Sequence, residues 1–291
     1  MKPKIKCLGA PFDTEFSSCS DIKPANFEWS LVEGDYLVHI DRGLFIEPES
    51  NFRYFKEKRF GWTCESSHII PDVVEFLKQK HNVLFAEYYN KIFTHNSSLL
   101  ELDSRFVYCP NGSNYPWIPK SQWGIYNKTK LCSMFCSPKR MTEGHVYRHQ
   151  IARLALDCGF DVFGGAHGTP RTVSDPRNPW NTKLDGIKDY MFNVVIENGV
   201  YDSYWTEKLT DCFATGTVPI YLGTKQLPKI FDESGIIRLE IGKEKEILDS
   251  LNKNTYISKK NSVINNWNAL NQLKLTDNEL FEIIKNETNN I

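Results

Sequence analysis

The spacing of hydrophobic and polar positions changes several times along the chain, and each change predicts an element. Tyr36-Leu37-Val38-His39-Ile40 followed by Asp41-Arg42-Gly43 reads as a strand and a turn. Pro71, Val73, Val74, Phe76 and Leu77 give the next segment the single apolar face of a helix. Residues 82–87 and 105–109 read as strands, Asn111-Gly112 as a turn, and 110–130 as a loop carrying Pro, Trp, Asn and Ser. A second regime starts at 131–136, apolar enough for a buried strand. There Tyr147, Ile151, Leu154 and Ala155 share one face of a helix over 143–157 that Gly159 can end. A short strand at 160–163 leads into Gly164-Gly165.

The clearest unit comes next. A strand at 192–196, a helix at 205–215 stopped by Gly216, and a strand at 218–222 form a βαβ unit, which predicts a right-handed crossover and a parallel sheet. Loops at the carboxyl ends of such strands are where nucleotides bind. The tail from Lys243, rich in Lys and Asn, predicts helices near 244–251 and 277–285 and reads as a solvated helical cap. No internal repeat and no extended low-complexity segment interrupts this order.

Composition narrows the picture. The 291 residues suit two domains, predicted at 1–130 and 131–260, with a helical tail at 261–291 able to pack back on the first. A hydrophobic share of 41% supports a substantial core, and a formal charge of −1 excludes general attraction to nucleic acid or anionic membrane. Any anion site must therefore be local. No run approaches the ~18 apolar residues that span a bilayer, and the first residues lack the pattern of a signal peptide. The chain reads as soluble and cytoplasmic, although a removed anchor would leave the same pattern. Eight cysteines without a CxxC spacing read as buried reduced thiols rather than a zinc cluster or a disulfide framework.

Candidate chemistry concentrates in residues 192–223. Glu197-Asn198 stand at the end of an apolar strand, where polar groups can bind sugar or ribose hydroxyls or cap a loop. Trp205-Thr206-Glu207-Lys208 open the following helix, whose free N–H groups and dipole favour an anion. Lys208 opposes that dipole, which makes sense if a phosphate sits between them; a solvated surface lysine is the alternative. Lys183 and Lys188 precede the strand and read as solvated.

The ordered run Phe192-Asn193-Val194-Val195-Ile196-Glu197-Asn198, Tyr204-Trp205-Thr206-Glu207-Lys208 and Gly216-Thr217-Val218-Pro219-Ile220-Tyr221-Leu222-Gly223 resembles the signature of α1,3-fucosyltransferases, glycosyltransferase family ten. The resemblance implies an α/β protein with two Rossmann-like domains facing each other across a cleft, the glycosyltransferase-B type. It also implies an inverting transfer of fucose from GDP-fucose to a glycan hydroxyl. It assigns Asn198, Tyr204, Glu207 and Lys208 to the donor, with Glu197 beside them, Glu207 on fucose or ribose hydroxyls and Lys208 on the diphosphate. Upstream, Ser137, Tyr147-Arg148-His149-Gln150-Ile151 and Asp161-Val162-Phe163-Gly164-Gly165 are similar to further family segments, which implies Arg148 as a second cation on the diphosphate.

An inverting transfer needs a carboxylate to take the acceptor's proton. Glu65, in Gly61-Trp62-Thr63-Cys64-Glu65-Ser66-Ser67-His68, is similar in setting to the family's glutamate–serine motif and is the expected base. It could instead cap the helix ahead of Pro71, and His68 is a second base candidate. The sequence departs from the family at Gly199, Pro138 and Ile196, around the donor sugar and the nucleotide base. No D-x-D pair follows a strand, so charge neutralisation is expected from Arg148, Lys208 and helix N–H groups. No metal ligands and no required cofactor are expected, with a divalent metal able to stimulate. Two alternatives stay open, a same-fold enzyme with another nucleotide sugar and a non-catalytic nucleotide-sugar-binding module. Acceptor, linkage and oligomeric state are not legible.

Overall fold

Two separate parallel sheets organise the chain in a computed structural model that describes residues 1–45, 54–170 and 183–289. The chain divides into two compact units. One contains Met1–Tyr115, Asp202–Tyr204 and Lys274–Ile291, and the other Pro116–Tyr201 and Trp205–Leu273.

The first unit is built on β1 (Lys4–Leu8), β2 (Glu28–Ser30), β3 (Tyr36–Ile40), β4 (Arg59–Trp62), β5 (Lys91–Thr94) and β6 (Phe106–Tyr108). Their order is β2-β1-β3-β4-β5-β6, with every pair parallel. All four residues of β4 are buried, as are Leu37 to Ile40 of β3, the continuous burial expected of a parallel sheet covered on both faces, with His39 and Arg59 its polar members. Helix α1 (Pro71–Val83) starts with Pro71 at a position where its missing N–H costs nothing, and buries Val73, Val74 and Leu77. Gly9 adopts φ +82°, and a Cβ there would lie 2.4 Å from the Ile40 carbonyl oxygen, so the ends of β1 and β3 approach as only glycine permits.

Residues 82–87, expected as a strand, instead prolong α1 into a π-helical turn, Leu84–Tyr88, closed by the Tyr89 N–H donating to the Leu84 carbonyl at 2.8 Å. The apolar run Val83-Leu84-Phe85 fits either element locally. Packing decides it, because Leu84 and Phe85 continue the helix face of Val73, Val74 and Leu77 into one cluster. A short α2 (Ser97–Leu100) follows β5, capped by Asn96.

The second unit holds β7 (Lys130–Phe135), α3 (Glu143–Asp157), β8 (Asp161–Phe163), β9 (Tyr190–Ile196), α4 (Glu207–Thr215), β10 (Val218–Leu222) and β11 (Ile237–Arg238). The strand order β11-β10-β9-β7-β8 is again wholly parallel. All seven residues of β9 are buried at its centre. In the predicted βαβ unit, Thr206 caps α4, and Gly216 ends it at φ +70°. From β7 the chain moves outward to β8, then returns to the other side of β7 for β9, β10 and β11. The strand order thus switches direction between β7 and β9, and in open parallel sheets ligands bind beyond the carboxyl ends of strands at such a switch.

Helices α5 (Glu244–Asp249), α6 (Lys253–Ser258) and α7 (Lys260–Ala269) follow in this unit. The last helix, α8 (Thr276–Asn289), belongs to the first unit and is not a solvated cap. Leu280 and Ile284 are fully buried, and Phe281 stacks on Phe27 at 5.1 Å. Asp277 accepts the Trp29 indole N–H at 2.7 Å and the Ser18 hydroxyl at 2.7 Å. Spacing of four places Leu280 and Ile284 on one face, which the polar composition around them masked.

Candidate active site

At the β7–β9 switch, two helix starts meet the end of β9. Arg148 of α3 is buried, and one of its terminal nitrogens donates to the Ile196 carbonyl and, at 3.2 Å, to Asn198 Oδ1. Gly144, in the first turn of α3, permits this approach: a Cβ there would lie 2.2 Å from the Glu197 carbonyl oxygen. Thr142 caps the same turn by accepting the His145 N–H at 3.2 Å. The helix start with its positive dipole end is thus held against the strand end that carries Glu197 and Asn198.

Glu197 is fully buried and braces α4. Its Oε1 accepts the Thr206 N–H at 2.9 Å, and its Oε2 accepts the Thr206 hydroxyl at 2.8 Å. The Thr206 hydroxyl in turn accepts from the Lys208 ammonium at 2.9 Å. That ammonium lies 3.5 Å from Glu197 and 3.4 Å from Glu207. The two carboxylates account for a lysine in a first turn where the helix dipole disfavours one.

Lys183, expected to be solvated, is half-buried between two carboxylates of α4. Its ammonium donates to Glu207 Oε1 at 2.9 Å and Asp211 Oδ2 at 3.0 Å, and lies 4.3 Å from the centre of the Trp117 ring. Asp211 Oδ1 accepts the N–H groups of Trp117 and Ile118 at 2.8 and 3.0 Å. Burial alone would raise the Glu207 pKa, but the charges of Lys183 and Lys208 outweigh it and hold the carboxyl down to about 2. Burial raises Asp211 against the pull of Lys183. Lys188, by contrast, pairs with exposed Asp185.

In the first unit, Glu65 lies half-buried on the loop after β4, its Oε2 accepting the Ser66 N–H at 3.1 Å. The loop is tied to Asp41, at the end of β3, whose Oδ1 accepts the N–H groups of Cys64 and Glu65 at 2.8 and 3.2 Å. Burial pushes Asp41 up to about 7, with the Glu65 charge adding to the rise against the two N–H donors. His68 is exposed, and its N–H donates to Ser66 Oγ at 3.2 Å. Tyr204 groups with this unit, buried with its ring 5.5 Å from that of His95.

The structure therefore brings Arg148, Glu197, Asn198, Glu207 and Lys208 together around the ends of β9 and α4. Sequence reasoning missed Thr206, Asp211, Gly144 and Asp41, and misjudged Lys183. A signal existed for one of these. Glu207 and Asp211 stand one turn apart in a helix that buries every residue but Lys208, and two buried carboxylates demand a cation. Among the described residues no group of His, Cys, Asp and Glu side chains gathers to hold a metal ion. No helix there is long and apolar enough to cross a membrane.

Residues 125–267, which hold this second-unit site apart from Trp117 and Ile118, match the family model of the glycosyltransferase family 10 (fucosyltransferase) C-terminal domain. The chain carries a family 10 domain. It is a glycosyltransferase. The match begins after Glu65, so the proposed base lies outside it. Among solved structures, an α1,3-fucosyltransferase with GDP is similar at a TM-score of 0.53 and 13% identity, over 94% of this chain and 92% of that one. A DNA-modifying β-glucosyltransferase, studied with and without uridine diphosphoglucose, is similar at 0.50 and 14% identity, over 99% of both chains. These likenesses show the fold, α/β of the glycosyltransferase-B type, and no more. Among curated proteins none matches the chain.

Proposed function

We propose that this glycosyltransferase is an inverting fucosyltransferase that uses GDP-fucose. The observation that carries the reading is the coincidence of the family 10 match with the Arg148–Asn198 and Lys208–Glu207 arrangement at the β7–β9 switch. In this reading Arg148 grips the diphosphate, and Lys208 swings from Thr206 and the carboxylates to share it. The helix starts of α3 and α4 add N–H donors and dipole field. Asn198, Tyr204 and Glu207 bind sugar or ribose hydroxyls, with Glu197 holding the α4 start in register. Glu65 takes the proton of a glycan hydroxyl as its oxygen attacks the anomeric carbon. The bond from that carbon to the phosphate oxygen breaks, and its electron pair leaves on GDP, neutralised by the two cations without a required metal. Eight free thiols suit a reducing compartment such as the cytoplasm.

Gly199, Pro138 and Ile196 favour a second reading in which the fold is kept but another sugar is moved. A donor panel decides between them: transfer or slow hydrolysis with GDP-fucose supports the first reading. Turnover only with GDP-mannose or a UDP-sugar supports the second.

A further inference from the structure

Glu207 sits in the first turn of α4 with a side chain only 5% exposed. A carboxyl so deeply buried would ordinarily take up a proton, and a neutral acid presents a donor as well as an acceptor. Lys183 prevents this. Its ammonium has three N–H groups; two point to Glu207 and Asp211, and the Trp117 ring lies 4.3 Å away. Asp211 is itself pinned by the backbone N–H groups of Trp117 and Ile118, so the ammonium is fixed from behind. Lys208 approaches the same Glu207 oxygen at 3.4 Å, yet the proposed reaction requires Lys208 to turn toward phosphate. Lys183 is the cation that stays.

We propose that Lys183 is a positioning residue for the donor: it keeps Glu207 ionised and in one orientation, so that Glu207 accepts hydrogen bonds from donor hydroxyls when Lys208 moves away. This rests on the reading of Glu207 as a donor contact. A purely structural lysine would have the same neighbours, so the test must separate acting through Glu207 from holding the helix.

The measurement is a double-mutant cycle on the full chain, reading GDP-fucose affinity by calorimetry for Lys183→Met, Glu207→Gln and the double variant, with melting temperature recorded for each. Lys183→Met is expected to weaken GDP-fucose binding about tenfold, the loss of one charge-assisted contact. In the Glu207→Gln background the same change is expected to cost less than about twofold. Losses that multiply across the cycle, or unchanged affinity in Lys183→Met, overturn the proposal. Should Lys183→Met fail to fold, Lys183→Arg keeps the charge, and affinity within about threefold of the unaltered chain is then expected, with a full tenfold loss counting against the role. Failure of the underlying reading looks different: Glu207→Gln itself then leaves GDP-fucose affinity unchanged. Weakened binding in Glu207→Gln but none in Lys183→Met removes only the role of Lys183.

Discussion

Asp41 and Glu207 are two carboxyls of nearly equal burial, 6% and 4% exposed, one beside the carboxyl edge of each sheet, and they ionise in opposite directions. Asp41 is pushed up to about 7, while Glu207 is held down to about 2. Burial acts alike on both. The difference is cations in contact: Glu207 has Lys183 at 2.9 Å and Lys208 at 3.4 Å, whereas Asp41 has two backbone N–H groups and only a lesser pull from Arg42 set against the nearby charge of Glu65. One sheet edge is therefore built around fixed charge, which suits the proposed donor site, and the other places two carboxyls together, Asp41 and the proposed base Glu65.

The largest effect that could break this division is at Glu65. Glu65→Gln is expected to lower the turnover rate roughly 1,000-fold or more while GDP affinity stays within about twofold, checked by product formation and by calorimetry on the same preparation. A variant that retains full activity would move the proton chemistry elsewhere.

Asp41→Asn sharpens the contrast next. The folded pKa of Asp41 is raised, so its stabilising contribution is complete below the unfolded value near 4 and is lost as pH rises toward 7. Asparagine can still accept the Cys64 and Glu65 N–H groups but does not titrate. Its stability relative to the unaltered chain should therefore rise by on the order of 3 kcal/mol between pH 4 and pH 8 in urea titrations. A pH-independent difference would mean that Asp41 is not held neutral by burial.

On the charged edge, Arg148→Ala is expected to weaken GDP binding about 30-fold, since it removes a buried guanidinium and frees the Ile196 carbonyl and Asn198 from their shared donor. Calorimetry at fixed ionic strength measures this. The smallest effect is that of Thr206→Ala, which deletes the cap of α4 and a partner of Glu197. A loss of about 1 kcal/mol in chemical denaturation is expected, with a modest fall in donor affinity.

Much of the second unit was legible because its elements repeat a simple order. The buried run at 192–196 falls within β9, and the apolar face predicted over 143–157 is α3 itself. The first unit was harder. Leu84 and Phe85 suit a strand or a helix, and only contacts with Val73, Val74 and Leu77, invisible locally, select the helix. The solvated-cap reading of the tail failed at α8 for a related reason, while the alternative of a tail packing back on the first unit fits it: its apolar residues find their core in residues near the start of the chain, such as Phe27. Site residues named from the sequence were those in a contiguous pattern. Asp211 was missed and Lys183 misjudged because their pairing exists only once residues 28 positions apart are brought to 3.0 Å.

The central claim, that the charged edge is a binding site for a guanosine diphosphate sugar, is tested most directly by titrating the full chain with GDP, GDP-fucose and UDP in a calorimeter. Saturable binding of GDP and GDP-fucose, with UDP at least about tenfold weaker, is the predicted result. Preference for UDP, or no heat with any of the three, would contradict it.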